Sequence, residues 1–309
     1  MVLEFVYVMD NIKNDSLHIA VCVKPIFDPS IVSLNAESHI DEEDLFPILN
    51  PRDLRAVEEA MRIKENHLVE SVTIVSIAPP SMDGLLRRCL AMGADKAVRL
   101  WDDSMNNIYN DAIGIVLAHL IGYFSFNLIL CGYKASDDDM GITGYIIAEQ
   151  LGIPFVNKAV NITLSKQGKV TVKSKLEGGN REIVETSLPV VVGIEMDIYE
   201  PRYASLPSLI SSLRKPIEQL DLKTIGLSEK EIATKIQFEG FSQPHLRPKK
   251  LFTPDSNLSA AERLRLVMSG GIAEKKEDLF EGSPEELSHK FIQFLDQIDI
   301  GVSLNSVSS

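Results

Sequence analysis

Short apolar runs alternate with amphipathic stretches along the first half of the chain, and this alternation predicts a parallel sheet. The apolar runs read as buried strands, at 17–24, 71–77, 96–100 and 127–131. Helical patterns with apolar residues three and four positions apart follow each of these runs. Four successive β–α repeats place the chain in the α/β class, with helices on both faces of a mostly parallel sheet.

The pattern changes after Pro154, where apolar and polar residues alternate with a period of two. Turn signals separate the alternating segments, which predicts an added antiparallel meander. Its three strands are predicted at 159–164, 170–176 and 182–187. A buried strand at 188–194, a loop at 196–206 and a short helix at 209–213 are predicted to follow.

Both ends of the chain lack this periodicity. Residues 1–16 fit no element and are interpreted as an N-terminal extension, which leaves 17–218 as the α/β domain. Residues 219–309 show only two helical patterns, at 260–268 and 284–294. A segment with so little apolar surface of its own is predicted to be an arm that lies on another protein, with a disordered linker as the alternative.

Composition narrows the class of protein. The formal net charge is −13, which argues against a nucleic-acid footprint because that requires a basic face. Three cysteines stand far apart without a CxxC pair, which is typical of buried thiols in a reducing compartment. No apolar run reaches the roughly 18 residues of a membrane span, and no signal-type N-terminus is present, so a cytoplasmic location is predicted.

The segment 132–144 is the strongest candidate for a binding site. It leaves the carboxyl end of a predicted strand and opens a helix, where ligands bind in open α/β sheets. Gly141 and Gly144 allow close backbone approach to an anion, and Thr143 adds a hydroxyl. The alternative is an ordinary strand-to-helix connection in which the acidic run 137–139 caps the loop. A Mg²⁺ site formed by this run is less favoured than a capping role.

Motifs for covalent chemistry are missing from the sequence. GxGxxG, Walker A, HExxH and GxSxG do not occur, and no CxxC pair could bind zinc. The six histidines are scattered singly, and His119 in an apolar helix is interpreted as a core residue. The residues therefore indicate an α/β nucleotide-binding protein that is not itself an enzyme.

Several stretches together, in order and spacing, resemble the β subunit of electron transfer flavoprotein (the ETF β / FixA family). They include Val21-Cys22-Val23-Lys24-Pro25, the helix opening Asn50-Pro51-Arg52-Asp53, Ala91-Met92-Gly93-Ala94-Asp95, and Glu200-Pro201-Arg202-Tyr203 with the residues to Pro207. The segment 132–144 also resembles a loop of that family. The resemblance covers about residues 17–218 and implies a Rossmann-like fold of the adenine-nucleotide alpha-hydrolase type.

The resemblance implies a heterodimeric electron carrier. An α subunit would hold most of the FAD, while this chain would bury a structural AMP. Electrons would come from flavin dehydrogenases, commonly acyl-CoA dehydrogenases of fatty acid β-oxidation, and would leave to an ETF–quinone oxidoreductase. The redox chemistry would belong to the flavin, so the chain would only position and tune it.

Carried over position by position, the resemblance implies which residues contact AMP. They are Cys22, Asn50, Ile77, Asp137, Asp138, Asp139, Gly141, Ile142, Thr143 and Gly144. Core packing explains Cys22 and Ile77 equally well, and helix capping explains Asn50 without a ligand. Relatives often have polar residues where this chain has Gly141 and Ile142, so backbone contacts are expected there.

The segment 195–207 resembles the family's recognition loop for partner dehydrogenases. Ile198 is expected to be its exposed apolar anchor, with Met196 and Tyr199 beside it. The alternative is that these side chains fold back onto the domain. The lysine-rich helix that follows the loop in relatives carries fewer charges here, at 211–215.

Three other functions compete with an AMP-binding carrier. The first keeps the family and places a second FAD in the AMP site, as in electron-bifurcating relatives. The second is a stand-alone nucleotide sensor of the universal-stress-protein type, which shares the α/β architecture. The third is an ATP pyrophosphatase, which is disfavoured because Pro25-Ile26-Phe27 stands where its Ser-Gly-Gly phosphate loop would follow the first strand.

Overall fold

A computed structural model describes most of the predicted α/β domain and parts of the predicted arm. The described residues are 17–33, 45–66, 69–165, 168–228, 230–232, 254–255, 257–268 and 282–297. The chain divides into two units, 1–243 and 244–309, which are described separately. The predicted extension 1–16 lies outside the described residues.

The first part of unit 1 contains four β–α repeats, as the pattern predicts, with a small addition after the first strand. Its elements are β1 (Leu17–Cys22), β2 (Pro25–Phe27), β3 (Pro47–Leu49), α1 (Pro51–Asn66), β4 (Val69–Ile77), α2 (Asp83–Met92), β5 (Lys96–Leu100), α3 (Asn110–Phe124), β6 (Leu128–Gly132) and α4 (Thr143–Leu151). Strands β2 and β3 form a separate antiparallel pair in the connection between β1 and α1.

The second part of unit 1 contains the predicted meander and the predicted short helix. Its elements are β7 (Phe155–Leu164), β8 (Lys169–Lys175), β9 (Arg181–Ser187), β10 (Val190–Ile194), α5 (Leu206–Ser212) and β11 (Glu218–Leu220). The antiparallel meander β7–β8–β9 is confirmed, and it continues the main sheet instead of forming a second one.

The main sheet has nine strands in the order β11-β5-β4-β1-β6-β10-β7-β8-β9. Strands β11 to β7 in this order are parallel to one another. Strand β8 runs antiparallel to both of its neighbours, β7 and β9, so β9 has the direction of the parallel strands again. From β1 the chain first builds outward through β4 and β5, then crosses to the other side of β1 for β6. The gap between β1 and β6 is therefore a topological switch point, where ligands bind in such sheets.

Burial on both faces explains why the central strands are continuous apolar runs. On one face, residues such as Ile19, Val21 and Leu130 pack against α1 and α2. On the other face, Ala20 and Ile129 pack against α3 and α4. This arrangement confirms the predicted α/β class, a mostly parallel sheet covered by helices on both sides.

The packed sheet continues beyond residue 218, where the sequence analysis begins the C-terminal arm. Strand β11 pairs with β5 at the sheet edge. Four apolar side chains that follow it are buried in the core on the α3 side, namely Leu222, Ile225, Leu227 and Ile232. A three-residue edge strand leaves no alternation to detect, so the sequence could not indicate it. The division at 218 stays a prediction.

Unit 2 contains the two helices that the sequence predicts, α6 (Ala260–Met268) and α7 (Pro284–Gln297). Each begins with a serine whose backbone N–H donates to a glutamate three residues later. These pairs are Ser259 with Glu262 and Ser283 with Glu286. This reciprocal capping explains why both starts could be read from the sequence.

In the described part of the chain, none of the helices is both long and apolar enough to span a membrane.

Gly114 on α3 provides a test of the packing between α3 and α4. A Cβ atom at this position would lie 2.7 Å from Cβ and Cγ2 of Ile146. Gly114→Ala is therefore expected to lower the free energy of unfolding by about 1–3 kcal/mol through overpacking. Urea denaturation would measure the change, with Gly84→Ala as the control because a Cβ there meets no atom within 4 Å. Equal midpoints for the two variants would contradict the close contact.

Candidate nucleotide site

A cavity of about 130 Å³ opens at the switch point, at the carboxyl ends of β1 and β6. The ends of β1, β4 and β6, the starts of α1 and α4 and the loop 133–142 surround it. The residues lining it are Cys22, Val23, Lys24, Pro25, Asn50, Asp53, Ile77, Ile113, Leu117, Cys131, Gly132, Tyr133, Lys134, Ala135, Asp138, Gly141, Thr143 and Gly144.

The structure brings together seven of the ten residues that the resemblance implies for AMP binding. Those seven come from four separate stretches of the sequence and line one cavity, and they are Cys22, Asn50, Ile77, Asp138, Gly141, Thr143 and Gly144. The other three, Asp137, Asp139 and Ile142, belong to the same loop but not to the lining. Their role in binding, like that of the seven, stays a prediction.

Asp53 is a site residue that the sequence analysis treated only as part of a helix start. Its carboxylate accepts the backbone N–H of Lys24 and of Gly132, both at 2.8 Å. It therefore joins α1 to the ends of β1 and β6 at the cavity floor. Burial raises the pKa of Asp53 to about 6, against the lowering effect of the two N–H donors. A side chain at position 132 would clash, since a Cβ would lie 2.5 Å from Asp53 Oδ1.

Asn50 ties the loop 133–142 to the start of α1. Its side-chain amide donates to the carbonyl of Lys134 at 3.2 Å, and the Ser136 hydroxyl donates to its Oδ1 at 3.4 Å. Arg52 also donates to Ser136, at 3.1 Å. Asn50 is 1 % exposed. Its hydrogen bonds hold the loop in place, which is a second role besides the predicted helix cap.

Lysines neutralise the acidic run 137–139. Lys24 Nζ lies 2.8 Å from a carboxylate oxygen of Asp137 and 2.5 Å from one of Asp138. Lys134 pairs with Asp139 at 2.6 Å. Among the residues that the structure describes, no three His, Cys, Asp or Glu side chains group closely enough to hold a metal ion. These pairs favour the loop-stabilising interpretation over the Mg²⁺ site.

The start of α4 can bind an anion through its backbone. The first N–H groups of any α-helix have no intrahelical partner, and Ile142 at the N-cap position makes no side-chain hydrogen bond to them. Thr143 is the first helical residue. Gly141 has a positive φ of 64°, and a Cβ at Gly144 would lie 2.7 Å from the Phe155 ring. Gly141 is therefore favoured by its backbone conformation, and Gly144 by the close packing of the Phe155 ring.

The opposite wall of the cavity is apolar. Ile77, Ile113 and Leu117 line it together with the thiols of Cys22 and Cys131. Burial raises the pKa of both thiols, to about 12 for Cys131. Both thiols are therefore largely protonated at neutral pH, which makes them slow nucleophiles.

The loop 195–207 is fastened to α1 by ion pairs and a stacked ring. Arg55 pairs with Glu200 at 2.8 Å, and Arg202 donates three hydrogen bonds of 2.8–2.9 Å to Glu58. The Arg62 guanidinium lies 3.6 Å from the centre of the Tyr199 ring.

The expectation that Ile198 is an exposed anchor is wrong. Ile198 is 6 % exposed and packs into the core on the α1 side, and Tyr199 is partly buried beside it. Met196 is also partly buried. Fastening the loop to α1 turns these side chains inward, which was the alternative that the sequence left open. Truncating Ile198 would therefore remove a core contact.

The exposed apolar surface lies instead on α5 and just before it. Tyr203 is 98 % exposed, and Leu206 and Leu213 are 69 % and 67 % exposed. Leu209 and Ile210 complete this surface, which is called the α5 patch below. Sequence reasoning included Tyr203 in an exposed loop but did not separate it from the buried Ile198, because both stand in the same short stretch.

The fold and the cavity define a class: an α/β protein with a nucleotide-type cavity at its switch point. The profile of the family described as "Electron transfer flavoprotein domain" matches residues 38–225. The chain is 33% identical over 218 residues to "Electron transfer flavoprotein subunit beta" of Methylophilus methylotrophus, covering 70% of this chain and 80% of that protein. It is 30% identical over 255 residues to the protein of the same name from Bacillus subtilis, covering 82% and 98%.

A yeast relative, "Probable electron transfer flavoprotein subunit beta" of Saccharomyces cerevisiae, is 38% identical over 176 residues, which is 56% of this chain and 67% of that protein. The chain therefore belongs to the electron transfer flavoprotein β-subunit family. This membership confirms the resemblance found in the sequence and implies an α-subunit partner.

Glu59 is a buried acidic residue of α1 with a carboxylate oxygen that accepts no hydrogen bond. It is 3 % exposed, and its Oε2 atom has no hydrogen-bond partner. Burial, opposed by the Arg62 guanidinium and assisted by the charge of Glu58, raises the pKa of Glu59 to about 7. The folded state therefore binds more protons than the unfolded chain between about pH 4.5 and 7.

Stability is expected to fall as the pH rises through this window, because the ionised carboxylate of Glu59 is penalised only in the folded state. Glu59→Gln should flatten that fall by up to about 3 kcal/mol, measured by urea denaturation at several pH values. The control is Glu65→Gln, since Arg202 holds the pKa of Glu65 below its usual value. That control should leave the fall between about pH 4.5 and 7 unchanged, because a carboxyl group with a lowered pKa is ionised in both the folded and the unfolded state across this window. An unchanged curve for Glu59→Gln would refute the assignment.

Proposed function

We propose that this chain is the β subunit of a heterodimeric electron transfer flavoprotein that binds AMP as a structural ligand. The complex carries electrons from flavin dehydrogenases of the acyl-CoA type, through an FAD held mainly by the α subunit, to a quinone oxidoreductase. The observation that carries this proposal is the cavity at the switch point, which gathers seven of the ten residues implied by the family.

The residues of the cavity fit an adenine mononucleotide. The uncapped start of α4, the backbone at Gly141 and the hydroxyl of Thr143 supply donors for a phosphate. The wall formed by Ile77, Ile113 and Leu117 suits the flat, weakly polar face of a base. Lys24 and Lys134 offset the three carboxylates of the loop, which removes much of the repulsion that an anion would meet.

The chain itself holds the bound groups in position, while the flavin supplies the redox chemistry when it is bound. Asp53 and Asn50 hold the cavity wall to α1, so the nucleotide rests on fixed backbone. The remaining elements of this proposal stay predictions: the arm 219–309 wraps the α subunit, the α/β domain covers 17–218, and the complex is cytoplasmic.

The α5 patch is the surface proposed to meet partner dehydrogenases. Tyr203, Leu206 and Leu213 project from an element whose base is held rigid by Arg202 and Arg87, which donates to the carbonyls of Ser212 and Lys215. An exposed aromatic side chain on a rigid support loses little entropy on binding, and such residues dominate interfaces.

Nucleotide content tests the proposal directly. The chain is co-expressed with its α subunit, the complex is purified, and released nucleotides are counted. One AMP and one FAD per heterodimer is the expected result. Two FAD without AMP would favour the bifurcating alternative. The chain is also 30% identical over 234 residues to a relative named "Caffeyl-CoA reductase-Etf complex subunit CarD", from Acetobacterium woodii. A soluble homodimer that binds ATP without α would favour the stress-protein alternative.

Thr143→Val is expected to weaken AMP binding to the complex about tenfold or more. The variant keeps the shape of the side chain but removes a hydroxyl donor to a charged phosphate, which contributes about 1.5–3 kcal/mol. Isothermal titration with AMP would measure the affinity. Thr163→Val, at an exposed position of β7, is the matched control. If both variants bind AMP as the wild type does, Thr143 is not a phosphate ligand.

Tyr203→Ala is expected to slow reduction of the complex by an acyl-CoA dehydrogenase at least about tenfold, because truncating an aromatic hot spot costs about 2 kcal/mol or more. AMP content should not change. Stopped-flow reduction of the flavin measures the rate. The control is Tyr123→Ala on α3, where the tyrosine is 54 % exposed. Equal rates for the two variants would remove the α5 patch from the interface.

A further inference from the structure

Two of the three cysteines stand side by side on the central strands. Strands β1 and β6 are parallel neighbours, and Val21 pairs with Leu130 in their register. Cys22 and Cys131 come one residue further along each strand, so the two occupy matching positions. Adjacent strands lie about 4.8 Å apart. That separation falls within the range of about 4.4–6.8 Å that Cα atoms span in disulfides.

The two thiols also share a face of the sheet and a cavity. Both side chains belong to the core on the α3 and α4 side, and both line the candidate nucleotide site. The cavity reaches the surface at Asp138, an exposed residue that also lines it. Cys89 differs in every respect, since it lies on α2, is 0 % exposed and packs on the opposite face.

We propose that Cys22 and Cys131 form a dithiol modification site, which a small disulfide oxidises to an intramolecular disulfide when the cavity holds no nucleotide. The oxidation does not depend on the function proposed above. Its consequence does rest on that function: the bond fixes two wall residues together and makes the nucleotide site unable to accept its ligand.

The chemistry proceeds by two thiol–disulfide exchanges. One cysteine thiol attacks a sulfur of the small disulfide, forms a mixed disulfide and releases the first small thiol. The second cysteine then attacks the protein sulfur of that mixed disulfide and releases the second small thiol. Two electrons pass from the cysteine pair to the oxidant, and each attacking thiol gives its proton to a leaving thiolate.

Two features of the site control this reaction. Each thiol is about 5–6 % exposed, so an oxidant reaches it only through the cavity, and a bound nucleotide would block that path. Burial raises the pKa of both thiols, and Cys131 further raises that of Cys22. The thiols are therefore largely protonated at neutral pH, which makes the exchange slow but does not alter its end point.

The test uses the full chain in complex with its α subunit, freed of bound AMP and incubated with oxidised glutathione. Denatured samples are titrated for free thiols of this chain, and tryptic peptides are analysed for a Cys22–Cys131 link by mass spectrometry. We expect the three thiols of this chain to fall to one, with a loss of two hydrogen atoms in intact mass. Saturating AMP should slow the loss at least about tenfold, and reduction should reverse it.

Matched variants decide the assignment. Cys89→Ser should still form the linked peptide, whereas Cys22→Ser and Cys131→Ser should carry at most one glutathione as a mixed disulfide. Retention of all three thiols, or a link that includes Cys89, overturns the proposal. A link formed at the same rate with AMP present would also overturn it if AMP binding is shown independently by titration. If AMP does not bind at all, the nucleotide function fails while the linked peptide still supports the dithiol.

Discussion

The carboxylate of Asp53 is the contact on which the site depends. It joins the N-terminal turn of α1 to the backbone N–H groups of Lys24 and Gly132, both at 2.8 Å. Those N–H groups lie where β1 and β6 stop pairing, so each needs a partner that no strand supplies. A carboxylate with two oxygens satisfies both strand ends at once. The cavity exists because this one side chain holds the two strand ends and the helix at a fixed separation.

The acidic loop follows from the same constraint. Its residues 133–142 connect β6 to α4 across the mouth of the cavity. Asn50, which directly precedes α1, fixes this loop by donating a hydrogen bond to the carbonyl of Lys134. The backbone N–H of Lys24 donates to Asp53, and its side-chain ammonium group pairs with Asp137 and Asp138. Backbone and side chain of one lysine thus connect the floor of the site to its rim. Because two lysines offset the three carboxylates, an anion would meet less repulsion at the rim.

The sequence predicted the elements well, and the contacts between them poorly. Strands such as 96–100 and the helix 260–268 match because their apolar runs and capping residues are local signals. Ile198 was misplaced because its burial depends on Arg55 and Arg202 pairing with distant glutamates. The role of Asp53 was missed because an acid in a first turn is an ordinary helix signal, and only the fold brings Lys24 and Gly132 to it.

Helix α1 connects the candidate nucleotide cavity to the loop 195–207, which precedes the α5 patch. Its first turn holds the cavity through Asn50 and Asp53, while its later turns hold the loop 195–207 through Arg55, Glu58 and Arg62. Ten residues of α1 are buried, including four charged ones. Charged side chains are rarely buried unless they form ion pairs or hydrogen bonds. Three of the four, Asp53, Arg55 and Glu58, have the partners described above. Through these contacts α1 fixes the loop before the α5 patch and, at its other end, the wall of the candidate cavity.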